Sequence, residues 1–435
     1  MNLDKLHLGG WISRQNLLVA GTLLLTLSPV LSVAFFSGAA LVTVFSGEPI
    51  RLTKEKKWLT GILFFISLGF AAHNHLPEAW GPGRVAFTDY VPFFWFFYSL
   101  SLKPFAEGEI KKVLYAFLLT VPQQFFLALG ERYFHWQGRF YFPTRNLPIV
   151  DLYWGPSEKG LATAASFFNP NILALYAIMG FIFSVTLLFK EWDARSGILE
   201  RNSRLPLRIL FLFLGLMLSS LLLLWTHSRN AWFFLLMVVL IFAWMKPNRG
   251  LQLVAIGLIL VTVLALFNLV FPTSMVKNFL PQALSAKLTV FSSDRTIFYN
   301  LALDLILEKP WWGWGIGTFP ALVSGKLWYP VLHTHSIFFQ LAVEVGLPLA
   351  ILVIGLLGTL FVSTARRIIK MDSVRNRKEI LDKGLLISGA VIFLMQFFDL
   401  ALLMTYRLNF LFWLCIAIPY SRVSANKNAG SVMHT

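Results

Sequence analysis

Arg295, His333 and His335 lie in the longest interruption of an otherwise apolar chain, and Arg229 follows His227-Ser228 at a break between two apolar runs. A guanidinium is always charged and offers a planar fork of donors that matches phosphate oxygens. Two of them facing one cavity could hold a diphosphate and stabilise the charge that grows on it as a glycosidic bond breaks. A neutral imidazole at His335 could take the proton from an attacking hydroxyl near neutral pH. Taken singly, each residue has a plainer reading: Arg229 as an arginine snorkelling to an interface, Arg295 as one half of an ion pair with Asp294, His335 as a hydrogen-bonded interfacial histidine. Arg407, His333 and His227 are further candidates at the same surface.

The interruption, residues 291–346, must position these groups. Ser293 or Asp294 serves as a helix N-cap, Ile297, Leu301 and Leu305 share one face, and Pro310 stops the helix. A glycine turn follows, Trp312-Gly313-Trp314-Gly315-Ile316-Gly317, and His335-Ser336 stands at the mouth of the next apolar run. No strand leads into the turn, which argues against a dinucleotide loop. Glu344 is nine residues past His335, roughly 13 Å along a continuous helix and near the bilayer centre. A carboxylate there is costly unless protonated, paired or facing a polar cavity, and Gln340 lies one turn before it on the same face. Asp399 is a second acid in an apolar run, so a proton or ion path competes as a reading for both. Asn169 and Asn171 flank Pro170 at the head of another run, where a plain N-cap explains them and a place in the cavity wall is the alternative. No Asp-x-Asp pair is present to hold a divalent ion with a sugar nucleotide, so neither metal nor cofactor is expected.

The chain has 435 residues, 57% of them hydrophobic and 13% charged, with a mean hydropathy of +0.68. A soluble core of this length does not need so much apolar surface, so the expected fold is all-α and polytopic in a membrane. The 42 phenylalanines and 15 tryptophans suit bilayer interfaces and helix contacts. The net charge of +16 is better assigned to topology-setting loops than to nucleic acid, which is not an expected partner. The single cysteine, Cys415, rules out an intrachain disulfide and a cysteine-based metal site. No small-residue cleavage site follows the first apolar run, so no cleaved leader is expected.

Residues 17–45 are too long for one ordinary span, and Ser28-Pro29 near the middle points to a hairpin of two short helices. Ten further runs follow at about 58–72, 85–102, 113–129, 171–189, 207–226, 231–244, 251–271, 336–363, 385–404 and 408–420. Basic links at 51–57, 111–112, 190–208, 246–249 and 366–383 fall on one side if the runs alternate, and that side is expected to be cytoplasmic. Parity then gives about twelve spans in one integral membrane domain covering 1–435, with both ends inside. Two outer loops result, 130–170 and a large one at 272–335, joined on that face by the turns 227–230 and 405–407. The tail 423–435 has the composition of a disordered segment.

Four stretches resemble a known family, the bacterial O-antigen ligase and O-antigen polymerase superfamily of integral membrane glycosyltransferases. Phe168-Asn-Pro-Asn171 is similar to its asparagine-proline-asparagine at the head of a span. Ser228-Arg-Asn-Ala-Trp232 is similar to its serine-arginine-x-alanine-tryptophan stretch. The arginine-led helix from Arg295, ending in Pro310-Trp-Trp-Gly-Trp-Gly-Ile-Gly-Thr-Phe319, resembles its glycine signature. His335-Ser336, followed nine residues later by Gly346, resembles its histidine–glycine pattern. The resemblance implies a twelve-span fold and transfer of a glycan from an undecaprenyl-diphosphate carrier to a lipid or glycan hydroxyl acceptor, without a metal, at the outer face of a bacterial plasma membrane. It implies diphosphate-binding roles for Arg229 and Arg295, and an essential role for His335, as a base or as a binding group. Asn169, Asn171, His333, Gln340, Glu344 and Arg407 would bind substrate or shape the cavity, and membrane lipids would surround it. Ligases, polymerases and protein O-glycosylases share these motifs, so the acceptor stays open. Some relatives are described as inorganic carbon transporters, which supplies an alternative resting on Glu344 and Asp399; a non-catalytic membrane subunit is a third.

Overall fold

A computed structural model of the chain describes residues 13–46, 54–72, 84–143, 148–154, 162–167, 169–197, 205–245, 295–324, 326, 331, 333–375, 379–398 and 406–431. Thirteen α-helices occur among them, so the described residues are all-α apart from one β-hairpin and a 3₁₀ turn. The first two form the expected helical hairpin: α1 (Arg14–Leu24) and α2 (Pro29–Phe45), whose N-cap Ser28 accepts from Leu31 N with Pro29 in the first turn. Then come α3 (Lys54–Ala72), α4 (Arg84–Ser101), α5 (Glu107–Phe134), α6 (Pro170–Gly197), α7 (Leu205–Thr226) and α8 (Arg229–Met245). Beyond them lie α9 (Arg295–Glu308), α10 (Phe319–Val323), α11 (Ile337–Arg375), α12 (Ile380–Met395) and α13 (Tyr406–Ser431). The expected span at 251–271 and the loop residues 272–294 lie outside the described residues. Helix α13 runs on to Ser431, into the segment whose composition reads as a disordered tail.

Among the described residues four helices are long and apolar enough to cross a membrane: Glu107–Phe134, Pro170–Trp192, Pro206–Thr226 and Ile337–Met371. Shorter apolar helices accompany them, Val30–Phe45, Val91–Ser101, Arg229–Met245 and Leu408–Ser424. Their packing follows membrane rules, where close backbone approach replaces the hydrophobic drive between helices. Gly180 of α6 faces Ser219 of α7, and Gly215 of α7 faces Ser184 of α6. Phenylalanine fills the other contacts: Phe410 of α13 lies 5.0 Å from Phe36 of α2, 4.6 Å from Phe93 and 4.9 Å from Phe96 of α4.

The two ends of the bundle differ. At one end Arg14 pairs with Glu109 at 2.6 Å, Lys190 with Glu107 at 3.1 Å, Arg367 with Glu55 at 2.8 Å and Arg422 with Glu379 at 3.1 Å. Exposed Trp58, Trp192 and Trp244 stand there too. At the other end α5 and α7 finish and α6 and α8 begin, held by Thr163 N donating to Trp225 O (3.0 Å) and by Phe125 stacking on Trp225 at 5.2 Å. That end also gathers the start of α11 and the finish of α12, because Ile337 N donates to Gln396 O at 2.8 Å. Exposed Trp136 stands at this end, just past α5, and exposed indoles at both ends are the pattern of a membrane-spanning bundle.

The 130–170 connection holds an element that the apolar pattern does not announce. Strands β1 (Gly138–Pro143) and β2 (Pro148–Trp154) pair antiparallel, with Gly138 opposite Trp154 and a register shift between Phe142 and Pro143. The 3₁₀ turn Ala165–Phe167 then leads into α6.

Candidate functional site

Helix α9 carries Arg295 at its first position and ends before Pro310, as expected. Its buried face is Phe298, Ala302, Leu305 and Ile306, whereas Ile297 is 46% exposed. The face is therefore rotated from the Ile297–Leu301–Leu305 stripe, because α9 docks its aromatic residues on α11. Phe298 stacks on the His335 imidazole with ring centroids 5.2 Å apart and 21° between planes, and Tyr299 stacks on Phe339 at 5.0 Å. Arg295 is one turn before Phe298, so it shares the face that meets His335.

His335 sits in the left-handed region at φ 60. Such a backbone is uncommon outside glycine and is held only by its surroundings. Here the surroundings are specific. His335 N donates to His333 Nδ1 at 3.2 Å, and the two rings meet edge-on at 4.2 Å. With Nδ1 accepting, a neutral His333 carries its proton on Nε2. Thr334 N, between the two, donates to Gln340 Oε1 at 2.9 Å. Gln340 Nε2 in turn donates to Glu344 Oε1 at 2.6 Å, and Gly317 N donates to the same oxygen at 2.8 Å.

Glu344, 2% exposed, therefore links the glycine turn to the histidine segment. The turn is clasped to the start of α11 by main chain: Trp314 N donates to Val343 O, Gly315 N to Glu344 O and Leu347 N to Pro310 O, at 2.8–2.9 Å. The Trp314 indole reaches back to Leu305 O at 2.8 Å, closing the end of α9. Gly346, at φ 80 and ψ 162, breaks α11 into 337–345 and 347–375. The run 336–363 is thus not one straight helix; the break lies just beyond Glu344, which sits in the first piece. The shared Oε1 acts as an acceptor, so Glu344→Gln keeps that acceptor. The variant should then lose no more than about 1 kcal/mol of stability, the worth of one hydrogen bond, as thermal unfolding in detergent would check.

Arg229 opens α8 and is exposed, with buried Ser228 before it. His227, like His335, has positive φ (50). Asn169 caps α6, its Oδ1 accepting from Asn171 N at 2.8 Å, so the plain reading of the asparagine–proline–asparagine segment holds for this contact; Asn171 is half-buried in the first turn. The loop ahead of Asn169 rests on two groups that spacing did not single out. Glu131 at the end of α5 accepts from Ala164 N and Ala165 N (2.7 Å for the latter), and Gln124 Oε1 accepts from Ser166 Oγ at 2.7 Å. Their partners are over thirty residues away, and no local pattern marks such a cradle.

The structure thus assembles two groups at one end of the bundle. One is Arg295, His333, His335, Gln340 and Glu344 around the α9–α11 contact. The other is Asn169, Asn171 and Arg229, tied by the Thr163–Trp225 bond. Helix α12 connects them, bonded to Ile337 N through Gln396 O, while Phe398 just beyond it lies 6.4 Å from Phe234 of α8. Arg407 lies in the first turn of α13, and its side chain, like Asp294 and Asp399, is outside the described residues.

The segment from the second half of α7 through the glycine turn into α11 resembles a known family. Residues 214–354 match the O-antigen ligase family. The match covers about a third of the chain and takes in Arg229, Arg295, His335 and Gly346, whereas Asn169, Asn171 and Arg407 fall outside it. Over this segment the chain is similar to that family, and its long apolar helices fit a multi-pass membrane protein. A comparison with curated proteins finds no match.

Proposed function

We propose that the protein transfers a glycan from undecaprenyl diphosphate to a hydroxyl acceptor at the outer face of a bacterial plasma membrane, as an O-antigen ligase does and without a metal. The reading takes the ion-paired end as cytoplasmic, with about twelve spans, both termini inside and the 272–335 loop outside. Its main support is the Phe298–His335 stack, which sets an arginine-led helix against a strained histidine inside the matched segment.

In this mechanism the acceptor oxygen attacks the anomeric carbon of the donor sugar. The bond from that carbon to the carrier's phosphate oxygen breaks, and undecaprenyl diphosphate leaves with the electron pair. The acceptor proton passes to the His335 imidazole. Arg295 and Arg229 bind the diphosphate and offset its growing charge, which is why no strong general acid is required. Exposed Trp311 and Trp312, beside the glycine turn, suit a rim at the membrane surface where the carrier's lipid enters.

His335→Ala is the direct test. A deletion strain carrying this variant should make no transferred glycan by mass spectrometry, with variant protein still present in the membrane. Transfer at the wild-type level would remove His335 from the mechanism. The same spectra distinguish a ligase, whose loss leaves an uncapped acceptor, from a polymerase, whose loss leaves single repeat units.

A further inference from the structure

A groove of about 810 Å³ opens between α5 and α7 at the ion-paired end, far along the bundle from His335. On α5 it is lined by Gly108, Lys111, Lys112, Tyr115 and Leu119, which share one helical face. On α7 Leu207, Leu210, Phe211 and Leu214 recur at the same helical spacing, with Arg208 beside the first. Glu191 of α6 closes the floor and is buried. The charged groups lie at the helix ends: Lys111 pairs with Glu107 at 3.1 Å, whereas Lys112 and Arg208 are exposed and make no ion pair among the described residues. Deeper along both helices the walls are apolar and face outward, with Leu119, Leu210 and Leu214 all exposed.

We propose that this groove binds an anionic phospholipid, its phosphate held by Lys112 and Arg208 and its acyl chains laid along Leu119, Leu210, Phe211 and Leu214. The charge is complementary, and the order of the groups, cations at the helix ends and hydrocarbon further in, is that of a lipid standing in a bilayer leaflet. A basic surface alone would attract anionic lipid diffusely. The apolar channel beneath the cations is what makes this a site. The inference is independent of the transfer reaction, and its readout is lipid, not activity.

The test uses the full-length protein reconstituted in vesicles of equal phosphatidylglycerol and phosphatidylcholine, extracted gently and weighed by native mass spectrometry. Wild type should retain phosphatidylglycerol at least tenfold over phosphatidylcholine. Lys112→Gln with Arg208→Gln should lower that retention about 25-fold, at about fivefold per cation. Lys112→Arg with Arg208→Lys should keep it. Leu214→Trp, which fills the channel and leaves every charge, should also lose it. Arg366→Gln with Lys370→Gln removes two charges at the same end outside the groove and should change nothing. Equal retention of the two lipids by wild type, undiminished retention in the Lys112/Arg208 glutamine variant or the Leu214 variant, or an equal loss in the Arg366/Lys370 variant would overturn the site.

Discussion

Replacing Arg295 by alanine should lower the rate of glycan transfer by about 10²–10³-fold, the effect of removing one well-placed donor to a developing negative charge, about 3–4 kcal/mol. Arg295 stands at the first position of α9, one turn from the ring that stacks on His335. A diphosphate held there would set the donor's anomeric carbon between its leaving oxygen and a hydroxyl beside His335. Lysine should recover only part of the rate, since it supplies a point charge and not a planar fork. Ile297→Ala, on the exposed side of the same helix, should leave the rate within a factor of two or so, surface changes being worth within about 0.5 kcal/mol. Single-turnover transfer with purified lipid-linked donor separates this loss from weaker binding. A wild-type rate for Arg295→Ala would mean that the diphosphate is held elsewhere.

The second large effect is on architecture. Gly346 occupies a backbone region essentially reserved for glycine, and a Cβ there would stand 2.3 Å from the Trp311 carbonyl oxygen. Strain of this kind costs on the order of 1–3 kcal/mol before the clash is counted. Gly346→Ala should therefore detach the glycine turn from α11, free the Gly317–Glu344–Gln340–Thr334 series of hydrogen bonds, and abolish transfer without touching any group that meets substrate. Gly355, on the same helix, has nothing within 4 Å of where its Cβ would go. Gly355→Ala should be neutral or stabilising by up to about 1 kcal/mol. Thermal unfolding of the two variants in the same detergent, beside transfer rates, makes the comparison; equal stability would show that the clasp is not what holds the segment.

The sequence made the helices legible because their signals are local. Ser28-Pro29 marks a helix start whatever lies around it, and Pro310 ends α9 for the same reason. The family motifs were legible too, and the match at 214–354 falls on three of the four stretches. What escaped depends on distant partners. The break at Gly346 is hidden in an apolar run, although Gly346 followed by Pro348, a glycine stop and a proline start, was the available clue. The buried side of α9 is set by Phe298 meeting His335, which periodicity within α9 does not reveal. Strands β1 and β2 carry aromatic and β-branched residues between turn formers, a weak signal set against long apolar helices. Glu131 and Gln124 look like ordinary polar residues at a helix end until the loop bearing Ala164 and Ser166 folds back onto them.

Because the glycine turn grips α11 through peptide groups, the grip is blind to most side-chain identities. Trp314, Gly315 and Leu347 donate from their amides, and Val343, Glu344 and Pro310 accept at their carbonyls. Homologous chains could vary at exposed Trp311 and still close the same joint, provided that the two glycines which meet there, Gly313 and Gly346, are left alone. Such a joint lets the walls around a substrate diversify while the position of the reacting histidine stays put.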